Sequence, residues 1–238
     1  MTRDFDHALT QAKLESLAEF AAGAGHEINN PLATILGRTE LLLRRVARIT
    51  PTGETAEAAR DLHIIAGQVQ RIRDMIGDLM LFARPPAPKF ESVDLADVVR
   101  EVLSSLQAEI TRHEVTLVTD LSPVGPIRAD RTQVAIVVSE LLRNALQATP
   151  ADGRIRVQIE SGQSHASLVI EDDGVGLTET DRQHLFDPFY SGRQAGRGLG
   201  FGLCKCWRIV EEHGGTIHVS PRDGAGVRAA VEWPAASH

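Results

Sequence analysis

Apolar residues recur every seven positions near the start of the chain: Leu14, Ala21, Ile28, Ile35, Leu42 and Ile49, with Leu17 and Ala24 at alternate positions. A second run, Leu62, Ile65, Val69, Ile72, Ile76, Leu79 and Ala83, alternates steps of three and four without a break. Such spacing lays an apolar stripe along a helix and suits it to side-by-side packing in a bundle. Between the runs, Thr50-Pro51-Thr52-Gly53 supplies residues that interrupt helices. An antiparallel helical hairpin is therefore predicted over about residues 9–83. One hairpin cannot enclose its own seam, so two chains are expected to join as a homodimer around a four-helix bundle. The plainer alternative is a hairpin that packs on the chain's own second domain.

The pattern changes after Arg84-Pro85-Pro86-Ala87-Pro88, where closely spaced prolines remove donors and favour extended backbone, the mark of a short stiff linker. Beyond it, helices are predicted at about 94–113 with Asp94 as cap, at about 131–148 and at about 200–213. β-Branched residues in alternation predict strands at about 115–119, 155–160, 168–171, 216–219 and 227–233. Strands interleaved with helices make an α/β sandwich. The expected fold class is α+β: a helical hairpin over 1–84, a proline-rich linker at 85–89 and a two-layer α/β sandwich over 90–238.

Composition narrows the function. A formal net charge of -7 argues against sequence-blind nucleic-acid binding, which relies on a basic excess. No apolar run reaches the roughly 18 residues of a membrane-spanning helix. The N-terminal stretch MTRDFDHALTQ has no apolar core of a signal peptide. A cytoplasmic location is expected, with any membrane sensor domain separate or removed. Cys204 and Cys206 lie two apart on a predicted helix and point about 200° away from each other, poor geometry for a shared metal. Small apolar packing is their expected role.

Four stretches carry candidate chemistry. In Gly25-His26-Glu27-Ile28-Asn29-Asn30-Pro31-Leu32, seating Ile28 and Ala21 on the seam turns His26 toward solvent. Glu27 can take a proton from one ring nitrogen and so raise the nucleophilicity of the other. Imidazole suits this task because much of it is neutral near pH 7. Pro31 inside a helix costs about 3 kcal/mol, and a kink one turn after a nucleophile would loosen the helix where a second domain must approach. Glu140 and Asn144 stack four apart on a predicted helix, and the Asn144 amide oxygen is a plausible hard ligand for Mg2+ beside phosphates. Asp172-Asp173-Gly174-Val175-Gly176 follows an apolar strand, so a carboxylate at the strand end could accept from an amino-bearing base. Gly196-Arg197-Gly198-Leu199-Gly200-Phe201-Gly202 opens a helix, where glycine amides can hold anions. The last run has neither the βαβ context of a dinucleotide fingerprint nor the Lys-Ser/Thr pair of a Walker loop. Each stretch alone also has a structural explanation.

Together and in this order, the stretches resemble the sensor histidine kinase family of two-component systems. Its histidine box resembles His26 to Leu32, its asparagine box Glu140 to Ala148, and its first glycine box Asp172 to Gly176. Leu185-Phe186-Asp187-Pro188-Phe189-Tyr190 resembles its phenylalanine box, and Gly196 to Leu203 its second glycine box. The resemblance runs from about Leu14 to Trp233. It implies a phospho-acceptor hairpin of the HisKA type and an ATP-binding domain of the GHKL (Bergerat) type. It further implies that ATP with Mg2+ phosphorylates His26, activated by Glu27, and that a response-regulator receiver domain takes the phosphoryl group.

By the same resemblance, Asn144 would hold Mg2+, and Asp172 would recognise the adenine amino group in a pocket shaped by Gly174 and Gly176. Gly196, Gly198, Leu199 and Gly200 would line the triphosphate. Phe186 and Phe189 would flank a lid whose Arg193, together with Arg197, could reach phosphate. Asn30, one turn after His26, resembles the residue that supports phosphatase activity toward the regulator in some members. The family often has Asn where this chain has Glu140, whereas relatives that hydrolyse ATP with water resemble it in having Glu there. Glu140 is therefore open between a Mg2+ ligand, a general base and a plain polar helix residue. Two other functions stay in view: a nucleotide-gated binding module, against which His26 and Glu27 speak, and a free-standing ATPase, favoured only by Glu140.

Overall fold

The structure is a computed structural model that describes residues 28–49, 53–83, 86–162, 164–188, 190, 200–222 and 224–236. The chain divides into two compact units, Met1–Pro85 and Pro86–His238.

The first unit is the helical hairpin, with α1 over residues 28–46 and α2 over Gly53–Ala83. Each helix carries two adjacent stripes. One is buried within the unit: Leu32 and Thr39 on α1, Val69 and Leu79 on α2. Thr39 is tolerated there because its hydroxyl donates to the Ile35 carbonyl at 2.8 Å. The other stripe, Ile35, Leu42 and Ile49 with Ile65 and Ile72, is exposed in the single chain, at 41–55%. The seven-residue repeat through Ile35, Leu42 and Ile49 is thus the stripe that a single hairpin leaves open, where the expected second chain would pack. The hairpin closes on the neighbouring positions instead.

The second unit is a two-layer sandwich. Its elements are β1 (Glu91–Val93), α3 (Leu95–Ser105), α4 (Gln107–His113), β2 (Thr116–Leu121), β3 (Ile127–Ala129), α5 (Arg131–Ala148), β4 (Arg154–Ser161), β5 (His165–Asp172), α6 (Glu179–His184), α7 (Gly202–Glu212), β6 (Thr216–Pro221) and β7 (Val227–Pro234). The main sheet has the order β2-β4-β5-β7-β6, with β2 parallel to β4 and the other neighbours antiparallel. Alternation sends Ile155, Val157 and Ile159 of β4 to one face beside Asp172, Ile170 and Leu168 of β5, and all six are buried. Helices α3, α5 and α7 cover that face through residues such as Val98, Val138, Leu142 and Ile209, each at most 1% exposed.

Local chemistry explains most boundaries. Asp94 accepts from the Ala96 and Asp97 amides and starts α3, and Asp130 accepts from Gln133 and starts α5. The single helix expected over 94–113 is divided at Leu106 into α3 and α4. Ser105 donates to the Val102 carbonyl there, a local bond that competes with the helix, and the break keeps Leu106 and Ile110 in the core. The small β1–β3 pair and α6 were not foreseen. Residues 86–89 of the expected linker, and Phe90 just after it, are tied to the second unit. Gln133 donates to the Pro86 carbonyl at 2.8 Å, the Lys89 amide donates to Asp130 at 2.8 Å, and Phe90 stands edge-on to His213.

Candidate active site

Strand β5 delivers Asp172 to the covered face of the sheet at its last position, 4% exposed. Its Oδ1 accepts from the Gly174 amide at 2.8 Å and from the Val227 amide at 3.3 Å. No described group bonds Oδ2, which leaves one carboxylate oxygen as an acceptor. Burial pushes the Asp172 carboxyl above the ordinary range, more than the two amides and Arg222 pull it down, and Asp173 adds to the rise. Gly174 is needed for space: a Cβ would stand 2.6 Å from Asp172 Oδ1 and 2.8 Å from the Ala148 carbonyl oxygen. The glycine therefore lets the turn after β5 sit against the end of α5.

Glu140 and Asn144 lie on that same helix, facing the start of α7. Glu140 Oε1 accepts from Lys205 Nζ at 2.8 Å, and Lys205 is only 3% exposed. A Cβ on Gly202 would lie 3.0 Å from Glu140 Oε2 and 3.9 Å from Asn144 Nδ2. The missing side chain at 202 thus allows α7 to begin directly over the two polar groups, and Phe201 gives that first turn no side-chain cap. Lys205 was missed from the sequence. Its signal was a charged residue four before Ile209, on the apolar face of α7.

The segment expected as a lid has its two ends together. Gly200 has φ +74°, and a Cβ there would stand 2.2 Å from the Tyr190 carbonyl oxygen. Tyr190 in turn donates to Asp181 Oδ1 at 2.8 Å. Asp181 forms a capping box with Thr178 at the start of α6, and the Thr178 hydroxyl, the Thr178 amide and the Tyr190 hydroxyl hold its carboxyl below the usual range. The Thr178-x-x-Asp181 spacing was a readable start signal that the sequence reading passed over. Phe186 packs partly buried against the core.

Of the predicted site residues, Glu140, Asn144, Asp172, Gly174, Gly176 and Gly200 lie in the second unit around the ends of β5, α5 and α7. Gly176 has φ +76°, a conformation suited to glycine. Asn30 is exposed on α1 in the first unit. His26, Glu27, Phe189, Arg193, Gly196, Arg197, Gly198 and Leu199 lie outside the described residues. Cys204 and Cys206 are buried thiols, and no described group of three or more His, Cys, Asp or Glu could hold a metal.

Residues 16–88 match the His Kinase A (phospho-acceptor) domain, and residues 129–237 match the family described as histidine kinase-, DNA gyrase B-, and HSP90-like ATPase. The chain belongs to the histidine kinase family. Sporulation kinase E of Bacillus subtilis (strain 168) is 31% identical to this histidine kinase chain over 93% of its length, which is 29% of that protein. The signal transduction histidine-protein kinase AtoS of Escherichia coli (strain K12) is 32% identical over 93% of the chain and 35% of that protein. The chain thus spans about a third of the length of these relatives. The histidine kinase ThkA, solved in complex with the response regulator protein TrrA, superposes with a TM-score of 0.67 at 23% identity, over 99% of this chain and 67% of that one. No helix among the described residues is long and apolar enough to cross a membrane.

Proposed function

We propose that this chain is the catalytic core of a protein-histidine kinase that uses Mg-ATP to phosphorylate His26 and passes the phosphoryl group to an aspartate of a receiver domain. One observation carries the reading: a buried carboxylate, Asp172, with one oxygen fixed by two amides and the other left to accept. Such an acceptor suits the amino group of adenine, and a base without that group would leave it unmatched.

Asn144, one turn before Ala148, would present its amide oxygen to Mg2+, which neutralises phosphate charge when bound. Glu140 has Oε1 engaged by Lys205 and would offer only Oε2 to the same shell. Gly196, Gly198, Leu199 and Gly200 would line the triphosphate, with Arg193 and Arg197 in reach of phosphate charge. Phosphoryl transfer asks the protein mainly for charge neutralisation and in-line placement. His26 would be the nucleophile, and Glu27 would take its ring proton. Asn30, exposed one turn further along the helix, would hold a water in line with a regulator's aspartyl phosphate. The exposed stripes on α1 and α2 support a homodimer, and the solved ThkA–TrrA complex supports a receiver domain as partner.

Incubation with γ-labelled Mg-ATP is expected to give acid-labile, base-stable label on His26. His26→Ala should abolish the label and leave ATP affinity nearly unchanged. Label retained in His26→Ala would move the acceptor elsewhere, with His63 and His113 next in line, and phosphate release undiminished in that variant would favour a free-standing ATPase. Asn30→Ala should keep the label and slow dephosphorylation of the regulator; equal rates would leave Asn30 a structural residue.

A further inference from the structure

Strands β6 and β7 are joined by a loop that closes over the end of β5. Arg222, in that loop, donates through Nη1 to the backbone carbonyl of Asp172 at 2.8 Å and to the Asp173 carboxylate at 2.7 Å. Its Nε lies 3.9 Å from Glu171, so one guanidinium meets three consecutive acidic residues. The Arg222 amide donates to the Gly226 carbonyl at 3.1 Å, which folds the loop back on itself. Gly226 has φ +95°, and a Cβ there would stand 1.7 Å from the Asp172 carbonyl oxygen, so the loop backbone lies directly against the last residue of β5. The next residue, Val227, is the one that donates to Asp172 Oδ1. Asp172 is therefore gripped through both its backbone and its side chain by residues fifty or more positions later in the chain.

We infer that Arg222 is a positioning residue for adenine recognition, holding the Asp172–Gly174 turn so that Oδ2 of Asp172 faces the amino group of the base. The inference rests on the proposed role of Asp172. Without Arg222, Asp173 would lose its cation while Glu171 kept Arg156 and Arg228, and repulsion between Asp172 and Asp173 would act on a turn held only by amides. A guanidinium suits the task because its planar fork offers several donors to a carbonyl and a carboxylate at once. The contact to a backbone carbonyl matters most, since it fixes where the strand ends and so the direction in which the side chain leaves it.

The test compares two ligands on the full chain: Mg-ATP and the Mg complex of purine riboside triphosphate, which differs only in lacking the 6-amino group. Wild type is expected to prefer ATP by roughly tenfold, the scale of one hydrogen bond to a charged acceptor. Asp172→Asn keeps an oxygen for the two amides, removes the free acceptor and should abolish the preference. Arg222→Met should weaken ATP about fivefold with little change for the analogue, shrinking the preference to about twofold, and Arg222→Lys should recover part of it. Equal losses for both ligands, or none, with Asp172→Asn still abolishing the preference, would overturn the role of Arg222 while leaving adenine recognition intact. A preference that survives Asp172→Asn would instead overturn the role of Asp172. If Arg222→Met does not fold, Arg222→Gln takes its place, since its shorter side chain cannot span both the Asp172 carbonyl and the Asp173 carboxylate: a preference reduced below wild type supports the inference, and a wild-type preference refutes it.

Discussion

Asp172 has a different relation to pH from Asp130 and Asp181. Burial raises it above 3.8, so the folded state holds this proton more tightly than the unfolded chain does. Its contribution to stability is complete below the unfolded value and is lost as pH rises through the raised one. Nucleotide binding should run the other way, because an ionised Oδ2 accepts from an amino group whereas a protonated one presents a donor. Affinity for Mg-ATP is expected to fall as pH drops through the raised range, and Asp172→Asn should remove this step along with about 1.5–3 kcal/mol of binding. Titration calorimetry across acidic pH reads both, and a pH step that persists in Asp172→Asn would assign it to another group. Asp181 and Asp130 lie on the opposite side. Thr178 and Tyr190 lower Asp181; at Asp130 burial acts upward, but the Lys89, Gln133 and Thr132 amides and His213 outweigh it. Their contributions are present above the unfolded value and are lost as pH falls through the lowered one. Lys205 is the other residue with a large expected effect. Its ammonium is almost wholly enclosed and meets Glu140, so Lys205→Met would leave a part-buried carboxylate unpaired and should cost roughly 3–5 kcal/mol. Lys205→Met with Glu140→Gln should regain much of that loss in a denaturant titration; a double variant no better than the single would show that the pair is not what Lys205 stabilises.

At the scale of elements, the proposed site gathers where elements end. Strand β5 stops at Asp172, α7 starts at Gly202, and α6 is started by its own capping box. The base of the segment expected as a lid depends on a backbone fit: Gly200 at φ +74° against the Tyr190 carbonyl. Gly200→Ala combines the left-handed penalty of about 1–2 kcal/mol with an overlap that only backbone movement can relieve. It is expected to lower Mg-ATP affinity and to move Tyr190 away from Asp181, leaving the hairpin unit unchanged. Fluorescence of Tyr190, the chain's single tyrosine, is masked by its tryptophans, so loss of the Tyr190–Asp181 bond is better read from amide exchange in α6. Exchange in α6 equal to that of wild type would show that the lid base tolerates the methyl group.

For the whole molecule, the outward stripe of the hairpin is the feature that a single chain leaves open. Ile35, Leu42 and Ile72 are each more than 40% exposed, in line along two helices. Enclosing the part of each side chain still exposed stabilises by on the order of 1 kcal/mol. A charge in their midst, as in Leu42→Asp or Ile72→Asp, should therefore shift the protein from dimer to monomer in sedimentation. Nucleotide affinity should be kept, because the second unit has its own core and carries the proposed nucleotide site. A monomeric wild type at micromolar concentration would sink the bundle.

The sequence alone determined what depends on near neighbours. Asp94 and Asp130 begin helices because a carboxylate can reach amides two or three residues on, and α5 occupies the residues its pattern predicts. The five strands of the main sheet follow alternation to within a few residues at each end. The order and residue types of the boxes were enough to suggest the family. What the sequence did not yield depends on residues far apart in the chain. Periodicity showed an apolar repeat through Ile35 and Leu42 that a single hairpin leaves open, but it did not mark Leu32 and Thr39 as the positions on which α1 closes, since a threonine breaks their apolar pattern and only packing seats it. The two-stranded β1–β3 sheet was too short for any pattern to mark. The partners that define Asp172 are Val227 and Arg222, and the partner of Glu140 is Lys205, sixty-five positions later. Such pairs carry no local signal, because a carboxylate and its cation need to be near only after the sheet and helices have packed. The tertiary structure alone decided them.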